Sequence, residues 1–350
     1  MSRPIEIIGG GLAGLTLGIA LRRFNIPVRI RDVGTYPRHR VCGEFLSGSG
    51  VEHLSNLGVL SQIKEKGANW ANDYAFFSET SRLHHDQLDT PTLCLSRYAL
   101  DDLLQKQFIE LGGTLEQNCR VSVTKESNVP GTVLATGRKR KATSGKWRWF
   151  GLKAHIEGFE MESDLEMHLH PDMYVGANQI ENGRVNLCGL FRSPVDSNGE
   201  KKRTPEPEEL LRGMKESLLY DRTKNATFLP DSLCAVAGLD LTPATSADTD
   251  QFRIGDSLTM IPPFTGNGMS MAIESAVIAS EPLRRFSCDE ISWEDALTEA
   301  RTNLETRFSS RLSWATHIQS LLFSPTVRPA LLTLGKSCGL IWKIGFAKTR

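Results

Sequence analysis

Three closely spaced glycines near the start of the chain constrain its fold more than any other feature. Gly9, Gly11 and Gly14 lie between an apolar run at residues 5–8 and a helical apolar pattern at residues 12–24. This spacing between a strand and a helix is typical of a turn that binds the pyrophosphate of a dinucleotide. Glycine lets the backbone approach the anion, and the helix N-terminus offers free N–H groups. The pattern predicts a parallel α/β unit; a glycine turn without a ligand is the alternative.

A carboxylate and a second glycine segment indicate which dinucleotide is bound. Asp32 follows the next apolar run, at residues 27–31, where a carboxylate can accept hydrogen bonds from an adenosine ribose. Far along the chain, Gly255 and Asp256 follow another apolar run, and residues 262–268 form a Pro- and Gly-rich start to a helix. The first glycine motif alone indicates that a dinucleotide is bound, but not which one. The later Gly-Asp segment narrows the expected cofactor to FAD.

The composition argues against several classes of protein. A length of 350 residues is long for one compact domain, so we expect two, and a hydrophobic content of 40% supports a substantial core. The 41 Lys and Arg residues cancel the 41 Asp and Glu residues, so no global field attracts nucleic acid. Seven scattered cysteines without a Cys-x-x-Cys pair argue against a disulfide framework or a zinc site. The sequence has no apolar run of about eighteen residues, and we expect a cytoplasmic enzyme.

The hydrophobic patterns predict an α/β protein whose first domain is discontinuous. We assign residues 1–70, 96–147 and 245–290 to a Rossmann-like FAD-binding domain, because strand and helix patterns alternate there. Residues 71–95 and 148–244 are predicted to form an inserted antiparallel β-sheet substrate domain. Residues 291–350 complete the chain as a C-terminal helical region.

Some elements are predicted as single pieces. Helical patterns cover residues 50–66 and 205–220. A further strand is expected at residues 121–123. The tail, residues 327–350, is too apolar to be free and carries scattered Lys and Arg. We expect either a helix packed on the cofactor domain or a peripheral membrane contact on an anionic surface.

Several further segments complete a set of motifs. They are residues 37–43 (Pro-Arg-His-Arg-Val-Cys-Gly), residues 96–101, Ala135-Thr136-Gly137, and residues 263–266 (Pro-Phe-Thr-Gly). Together with the two glycine segments, they resemble the superfamily of FAD-dependent geranylgeranyl reductases and aromatic hydroxylases, the group A flavoprotein monooxygenases. The resemblance covers the chain up to about residue 325, and the Cys-Gly and Pro-Phe-Thr-Gly segments are most similar to the geranylgeranyl reductase branch.

Two departures from the family pattern affect the expected chemistry. Hydroxylases of this superfamily carry Asp-Gly where this chain has Thr136-Gly137, and that Asp-Gly serves both FAD and the reduced nicotinamide. The electron donor is therefore left as NAD(P)H or another reductant. Flavin halogenases carry a Trp-x-Trp-x-x-Pro motif, but Trp147-Arg148-Trp149 lacks the proline, which disfavours halogenation.

The predicted cofactor-binding residues come from the motifs and from the resemblance. The resemblance implies that Arg38 and Arg97 lie along the FAD phosphates and ribityl chain, with a surface salt bridge as the alternative for each. Asp256 would accept hydrogen bonds from ribityl hydroxyls, and glycines after it would let backbone N–H groups reach the flavin. The full predicted set is Gly9, Gly11, Ala13, Gly14, Asp32, Arg38, Arg97, Gly255, Asp256, Gly266, Asn267 and Gly268.

Three residues are candidates for a catalytic role. The resemblance places Cys42 near the flavin ring, with a buried structural cysteine as the alternative. Lys153 and His155 open the β-rich insertion and could face the flavin as proton donors or charge partners, with a polar strand edge as the alternative. No metal site is expected, because the pairs His84-His85 and His168-x-His170 lack partners at ligand spacing.

The function that the sequence favours is an FAD-dependent monooxygenase acting on an apolar or aromatic small molecule. Residues 262–264, Pro-Pro-Phe, would form a stiff apolar wall beside the flavin. A flavin-dependent double-bond reductase of a prenyl or polyketide-like lipid is the first alternative. A flavin-binding protein without catalysis is the second.

Overall fold

The computed structural model describes residues 2–122, 129–138, 146–195, 205–241 and 250–339, together with residues 342, 343, 345 and 348. The strands in these residues are β1 (Ile5–Ile8), β2 (Val28–Arg31), β3 (Phe45–Leu46), β4 (Asn69–Phe77), β5 (Arg82–Cys94), β6 (Thr114–Glu116), β7 (Thr132–Leu134), β8 (Trp147–Glu157), β9 (Leu165–Leu169), β10 (Met173–Gln179), β11 (Val185–Pro194), β12 (Thr227–Phe228), β13 (Cys234–Ala237) and β14 (Phe252–Arg253). The α-helices are α1 (Leu12–Arg23), α2 (Ser49–Asn56), α3 (Leu60–Glu65), α4 (Arg97–Glu110), α5 (Pro207–Leu211), α6 (Leu218–Thr223), α7 (Gly268–Ser287), α8 (Trp293–Leu322) and α9 (Arg328–Ser337).

A parallel sheet carries the N-terminal glycine turn. Its described strands run in the order β14-β7-β1-β2-β6, and every neighbouring pair is parallel. Such a sheet is buried on both faces, so its strands are short apolar runs such as Ile5–Ile8. Helix α1 packs between α4 and α7. Its Gly18 is required there, because a Cβ at this position would lie 2.9 Å from the ring of Phe108 on α4.

A second sheet is built largely from the insertion. Its described strands run in the order β12-β8-β11-β10-β9-β4-β5-β3, with β13 paired to β8. The pairing is antiparallel throughout except between β4 and β9. Strands β10 and β11 form a hairpin whose turn uses Asn182 (φ 61°) and Gly183 (φ 70°), residues that tolerate the left-handed region. The predicted fold class, an α/β protein with an inserted antiparallel sheet and a helical C-terminus, is confirmed.

Two predicted helices are broken by glycine. Residues 50–66 form α2 and α3 rather than one helix, because Gly58 adopts φ +70° between them. Residues 205–220 likewise form α5 and the start of α6, separated at Gly213 with φ +85°. A left-handed glycine ends a helix, since the next residues cannot continue its hydrogen-bond ladder. The strand expected at residues 121–123 is absent at 121 and 122, and residue 123 lies outside the described residues.

The domain boundaries stay a prediction, although the pairing adds one detail. Strand β3 and the first residues of β4 lie within residues 1–70, which the prediction gave to the FAD-binding domain. Both pair inside the second sheet, where Phe45 lies opposite Cys94 and Asn69 is also registered with Cys94.

The end of α8, α9 and Trp342 cover part of one face of the second sheet. Leu332 of α9 and the following Trp342 are buried in a cluster that includes Tyr74, Phe76 and Phe323. The described part of the tail is therefore packed on the second sheet, and not on the cofactor domain, which was one of the two predicted alternatives. The predicted apolar residues Leu340, Ile341, Ile344 and Phe346 lie outside the described residues, and the peripheral membrane contact stays a prediction. Among the described helices, none combines the length and the apolar character that crossing a bilayer requires.

The packing of α1 on β1 leads to a first prediction. A Cβ on Gly14 would lie 2.0 Å from the backbone oxygen of Gly9, whereas a Cβ on Gly11 would meet no atom within 4 Å. We expect Gly14→Ala to lower the free energy of unfolding of the cofactor-free protein by about 1–3 kcal/mol, because α1 must move away from the strand. Urea denaturation measures this, with Gly11→Ala as the matched control that loses less than about 1 kcal/mol. Equal losses in the two variants would contradict the proposed packing.

Candidate functional site

The glycines of the first turn divide into close-packed and open positions. Gly9 has φ +109°, and a Cβ there would lie 2.3 Å from the backbone oxygen of Ala135. Gly14 is equally confined by Gly9, as described above. Gly11 faces open space, since a Cβ would meet nothing within 4 Å. Two glycines therefore shape the turn, and the third leaves room for a ligand against the backbone.

The second glycine segment repeats this division. Gly255 has φ +58°, and a Cβ there would lie 2.9 Å from the Cβ of Ala13 on α1. Gly266 has φ +66°, and its Cβ would lie 2.2 Å from the ring of Phe45. Gly268 is open, because its nearest neighbour would be 4.0 Å away. The two open glycines, Gly11 and Gly268, thus stand at the starts of α1 and α7.

Both helix starts are available to an anion. Neither α1 nor α7 has a side chain that caps its first N–H groups, and neither has an acidic residue in its first turn. The N-cap of α7, Asn267, donates instead to the backbone oxygen of Thr265 at 3.1 Å and accepts from Ser47 Oγ at 3.2 Å. Uncapped N–H groups and the helix dipole favour negative charge at these ends.

Asp32 lies at the end of β2, beside the first turn. Its Oδ2 accepts a hydrogen bond from the backbone N–H of Gly10 at 2.6 Å, and its Oδ1 accepts from Gly34 N–H at 2.7 Å. Arg38 Nη1 is 2.5 Å from the same Oδ1. Burial alone would raise the pKa of Asp32, but Arg38 and these N–H groups lower it overall, so Asp32 is ionised. Its predicted bond to a ribose stays a prediction.

Arg38 and Arg40 bring buried cationic groups to the first turn. Arg38 uses Nη1 on Asp32, while its Nε and Nη2 are buried without a hydrogen-bond partner. Arg40 Nε is also buried without a partner, and burial together with the charges of Arg38 and Arg97 lowers the pKa of Arg40. Unpaired guanidinium donors at this depth are costly unless an anion binds them. Arg38 therefore forms a largely buried ion pair with Asp32 and keeps two N–H donor atoms unused among the described residues. The alternative considered from the sequence was a salt bridge on the surface.

Arg97, at the start of α4, is committed to a carboxylate. Its Nε and Nη2 each lie 2.7 Å from an oxygen of the buried Asp101, one helical turn further on. Its charge also acts on Cys42 and on Asp256. Arg97 thus forms a salt bridge, as the alternative from the sequence proposed, but its pair with Asp101 is buried and not on the surface. Its position near Asp256 connects the two glycine segments.

Asp256 is the least satisfied carboxylate of the site. Among the described residues, no hydrogen-bond donor to its side chain is found. Burial raises the pKa of Asp256, and the charges of Arg138 and Arg97 offset this only in part. A half-buried carboxylate without donors fits a ligand that carries hydroxyl groups. With the open glycines, the uncapped helix starts and the spare arginine donors, the residues present fit FAD.

A buried cluster links residues 39–44 to strand β8. The carboxylate of Glu44 is fully buried, and it is 3.0 Å from Lys153 Nζ and 2.6 Å from His155 Nε2. The backbone N–H of Arg97 donates to Glu44 Oε1 at 3.0 Å. Burial would raise the pKa of Glu44, but His155 and Lys153 lower it overall, so the carboxylate is ionised. Lys153 and His155 alternate along β8, which brings both to one face of the sheet.

His39 extends this cluster toward the surface. Lys153 Nζ donates to His39 Nδ1 at 3.1 Å, and the His39 ring stacks on Tyr98 with a centroid distance of 4.6 Å. Burial, Lys153 and His155 lower the pKa of His39 to about 4, so it is neutral at pH 7. Ligand atoms of His39, Glu44 and His155 lie within 4.8 Å of one another, as in a metal site. The buried ammonium of Lys153 already supplies the positive charge among them, which disfavours a metal ion.

Cys42 lies beside the cluster but is not activated. Its Sγ accepts a weak hydrogen bond from the backbone N–H of Glu44 at 3.4 Å. Burial raises the pKa of Cys42 more than the charge of Arg97 lowers it, so the side chain is a thiol. Only the thiolate is a strong nucleophile. Its position beside Arg97 and Glu44 suits a packing role as well as the predicted place near a flavin.

The other histidines form no metal site in the described residues. His168 lies on β9 and is 2.9 Å from Glu166 Oε2, while His85 on β5 is 3.1 Å from Asp73. His170 is buried, and neither ring nitrogen has a hydrogen-bond partner. His84 is 3.6 Å from Asp86. Three of these histidines lie on strands beside a single carboxylate, and His170 directly follows β9.

An apolar cavity of about 330 Å³ lies beside the second glycine segment. Strands β4, β9 and β10 form one wall, the Phe264-Thr265 turn forms another, and α8, α9 and Trp342 close it. Gly43 and Phe45 flank Glu44 and also line it. Aromatic rings dominate, since Phe76 stacks on Trp342 at 4.1 Å and on Phe264 at 6.1 Å. Its size and lining are those of a small-molecule site.

Sequence reasoning missed Glu44, His39, Arg40 and Trp342. His39, Arg40 and Glu44 lie in or directly after residues 37–43, where only Arg38 and Cys42 were singled out. Glu44 meets its partner His155 across 111 positions of sequence, and no local pattern encodes that distance. One feature of the sequence could have indicated a buried polar loop here: Arg38 and Arg40 flank His39.

Comparisons with known proteins agree on the fold. No protein-family model matches the sequence. Squalene epoxidase erg1 of Schizosaccharomyces pombe is 22% identical over 321 residues, covering 79% of this chain and 68% of that protein. The structure of PqsL from Pseudomonas aeruginosa, in complex with 2-aminobenzoylacetate, superposes with a TM-score of 0.73 at 15% identity, covering 95% of this chain and all of that one. The flavin-dependent brominase Bmp2 gives a TM-score of 0.71 at 18% identity, covering 95% of this chain and 93% of that one.

These neighbours define the class of fold. A further PqsL structure is described as a probable FAD-dependent monooxygenase, and CmlS, with a TM-score of 0.68, is a flavin-dependent halogenase. The chain therefore has the fold of flavin-dependent monooxygenases and halogenases. The resemblance to the group A flavoprotein superfamily is confirmed at this level, and nothing in these comparisons specifically supports the geranylgeranyl reductase branch.

Removal of the Asp256 carboxylate gives the second prediction. We expect Asp256→Ala to weaken FAD binding by about 10- to 100-fold, because hydrogen bonds to a charged acceptor contribute about 1.5–3 kcal/mol. Titration of the cofactor-free protein with FAD, followed by flavin fluorescence, measures the affinity. Asp231→Ala, which removes an exposed carboxylate, is the control and should bind FAD normally. Unchanged affinity in Asp256→Ala would remove this residue from the cofactor site.

Buried His170 gives the third prediction, a pH dependence of stability. Burial lowers the pKa of His170 to about 4 from its ordinary 6.5, so the unfolded chain binds its proton more readily than the folded one. Stability is therefore lost as the pH falls from 6.5 toward 4, by on the order of 3 kcal/mol for this group. We expect His170→Phe to lose less stability over this range in urea denaturation. The exposed His317→Phe should keep the wild-type slope; the same slope in His170→Phe would contradict the assignment.

Proposed function

We propose that the protein is an FAD-dependent monooxygenase that acts on an apolar or aromatic small molecule. The observation that carries this proposal is the segment Phe264-Thr265-Gly266. Its first two residues line the apolar cavity, and the helix start with open Gly268 follows directly. One turn therefore borders both the candidate flavin cradle and the cavity for a substrate. Squalene epoxidase, named for a hydrocarbon, and PqsL, crystallised with an aromatic acid derivative, support a small-molecule substrate.

The glycine segments and their neighbours would hold the cofactor. The start of α1, with Gly9, Gly11 and Gly14, suits the pyrophosphate, and the spare donors of Arg38 and Arg40 suit its negative charge. Asp256 suits the ribityl hydroxyls, and the start of α7 suits the anionic form of the reduced ring. Bound FAD would supply the redox chemistry with dioxygen that no side chain of the chain provides.

The cavity would orient the substrate and exclude water. Its walls are mostly aliphatic and aromatic side chains, among them Phe76, Phe264 and Trp342. Exclusion of water protects reactive oxygen species from side reactions and strengthens the remaining polar contacts. Trp342 is fixed for this purpose, because its Nε1 donates to the backbone oxygen of Gly335 at 3.0 Å.

The Glu44 cluster would hold and move protons next to the cavity wall. Lys153 carries three donors, and two of them point to the ionised Glu44 and to neutral His39. His39, which accepts from Lys153, stacks on the partly exposed Tyr98, so the cluster extends toward the protein surface. We assign Lys153 and His155 to proton supply at the reacting centre, with Glu44 as the residue that positions both. Cys42, as a thiol, would pack there without acting as a nucleophile.

A reduced nicotinamide dinucleotide is the electron donor that we propose. The position of the family's Asp-Gly is occupied by Thr136-Gly137, and Gly137 is open, because a Cβ added there would meet no atom within 4 Å. The missing carboxylate would weaken binding of the donor relative to enzymes that carry it. NADH, NADPH and a protein reductant are distinguished by direct reduction of the bound flavin.

Oxygen stoichiometry tests the proposed function. We expect FAD-loaded protein, mixed with NADPH or NADH and an apolar substrate, to consume about one dioxygen per reduced cofactor and to yield a product heavier by one oxygen atom. An oxygen electrode and mass spectrometry after ¹⁸O₂ labelling measure both quantities. Anaerobic turnover that adds two hydrogens would favour the double-bond reductase instead. Bound flavin that neither reductant reduces would favour the non-catalytic alternative.

Neutralising Glu44 gives the fourth prediction. Glu44→Gln leaves the buried Lys153 ammonium without its carboxylate, so we expect the free energy of unfolding to fall by about 3–5 kcal/mol. Substrate oxygenation should slow at least about tenfold, with a changed dependence on pH, because proton supply is altered. Glu157→Gln, at an exposed position on the strand β8 that carries Lys153 and His155, is the control. If Glu44→Gln loses stability but keeps the rate and pH profile, the cluster is structural only.

A further inference from the structure

The charge of the cavity wall carries an inference about the substrate, which rests on the proposed function. Apart from Tyr74 and the two tryptophans, three of the described residues that border the cavity have polar side chains: Glu166, Asn178 and Thr265. Thr265 Oγ1 donates to the backbone oxygen of Pro262 at 3.1 Å. Asn178 donates to the backbone oxygen of Glu44 at 3.4 Å and accepts from Asn186 at 3.5 Å. Thr265 and Asn178 are therefore engaged within the protein.

Glu166 is the one charged residue among these lining groups, and its negative charge is already balanced by Arg222. Arg222 binds its carboxylate in a bidentate manner, at 2.8 and 2.9 Å, and His168 Nε2 is 2.9 Å away. Burial would raise the pKa of Glu166, but His168 and Arg222 hold it at about 2. Both Nη atoms of Arg222 are used on Glu166, and its guanidinium lies over the rings of Phe77 and Phe159. Arg222 therefore has no second pair of Nη donors with which to bind a substrate carboxylate.

No Lys or Arg belongs to the described lining of the cavity. A substrate carboxylate would lose its hydration on entry and meet no compensating cation among these described residues, which is strongly unfavourable in an apolar site. A neutral molecule faces no such cost, and its hydrocarbon or aromatic body matches Phe76, Phe264 and Trp342. The wall thus discriminates by charge as well as by polarity.

We propose that the cavity takes neutral, hydrocarbon-like molecules and excludes their carboxylate analogues. The absence of an unpaired cation from the described lining, rather than a shape feature, is the specificity determinant. It follows that a cation placed in the wall should admit an acid. Met167 on β9 lines the cavity and is half-buried, which makes it the position for such a cation.

Geraniol and geranate, which share one carbon skeleton and differ in charge, test this proposal. Binding to the FAD-loaded protein is followed without reductant at pH 7.5, by quenching of tryptophan fluorescence from Trp314 and Trp342 and by the flavin absorbance. We expect geraniol to bind at least about tenfold more tightly than geranate. Equal affinities, tighter binding of geranate, or no binding of geraniol up to its solubility limit would each overturn the proposal.

Variants of the wall separate charge from polarity. Met167→Arg should reduce the preference for geraniol at least about tenfold, while Met167→Gln, neutral and polar, should keep it. If Met167→Arg does not fold, Leu321→Arg at the half-exposed rim and its control Leu321→Gln replace the pair. An unchanged preference in the folded arginine variant would contradict the proposal.

The binding assay is independent of the proposed reaction. Discrimination between the two probes without any oxygenation would leave the charge selectivity standing and reject the monooxygenase. Oxygenation of geranate as readily as geraniol would reject the charge selectivity and leave the monooxygenase standing.

Discussion

A buried carboxylate fixes the segment between the two sheets of this protein against strand β8. Glu44 comes from the loop that follows the parallel sheet's β2, and Lys153 and His155 come from β8 of the other sheet. All three side chains are buried, so none of them can be left unpaired without a cost of several kcal/mol. Attraction between these charges, rather than apolar contact alone, therefore fixes where residues 39–44 lie against β8. The positions of Arg97 and Cys42, which touch the same carboxylate segment, follow from it.

The backbone at Glu44 also ties this cluster to the cavity. Gly43 and Phe45 line the cavity, while the intervening Glu44 side chain points into the cluster. Phe45 in turn touches the place where a Cβ on Gly266 would lie, which explains why that turn carries glycine. Three consecutive residues, Gly43, Glu44 and Phe45, therefore belong both to the cavity wall and to the charged cluster behind it.

The sequence predicted what is local and missed what is distant. Strand, turn and helix around Gly9, Gly11 and Gly14 were read correctly, because the spacing itself encodes the geometry. Lys153 and His155 were selected from their place at the start of the insertion, and they do lie together. Glu44 was missed because its partners are more than a hundred positions away. The single helix predicted at residues 50–66 was wrong, because Gly58 adopts φ +70° and separates α2 from α3.

The order of strands in the parallel sheet has a consequence for synthesis of the chain. Strand β14 pairs with β7, yet the whole β8–β13 region lies between them in sequence. During translation, the outer edge of β7 must remain without its neighbour until residue 253 has emerged, on the order of ten seconds after β7 itself. An open strand edge is a template for wrong pairing with other chains. The nascent protein is therefore exposed to aggregation for that interval, and its yield in cells should depend on holdase chaperones.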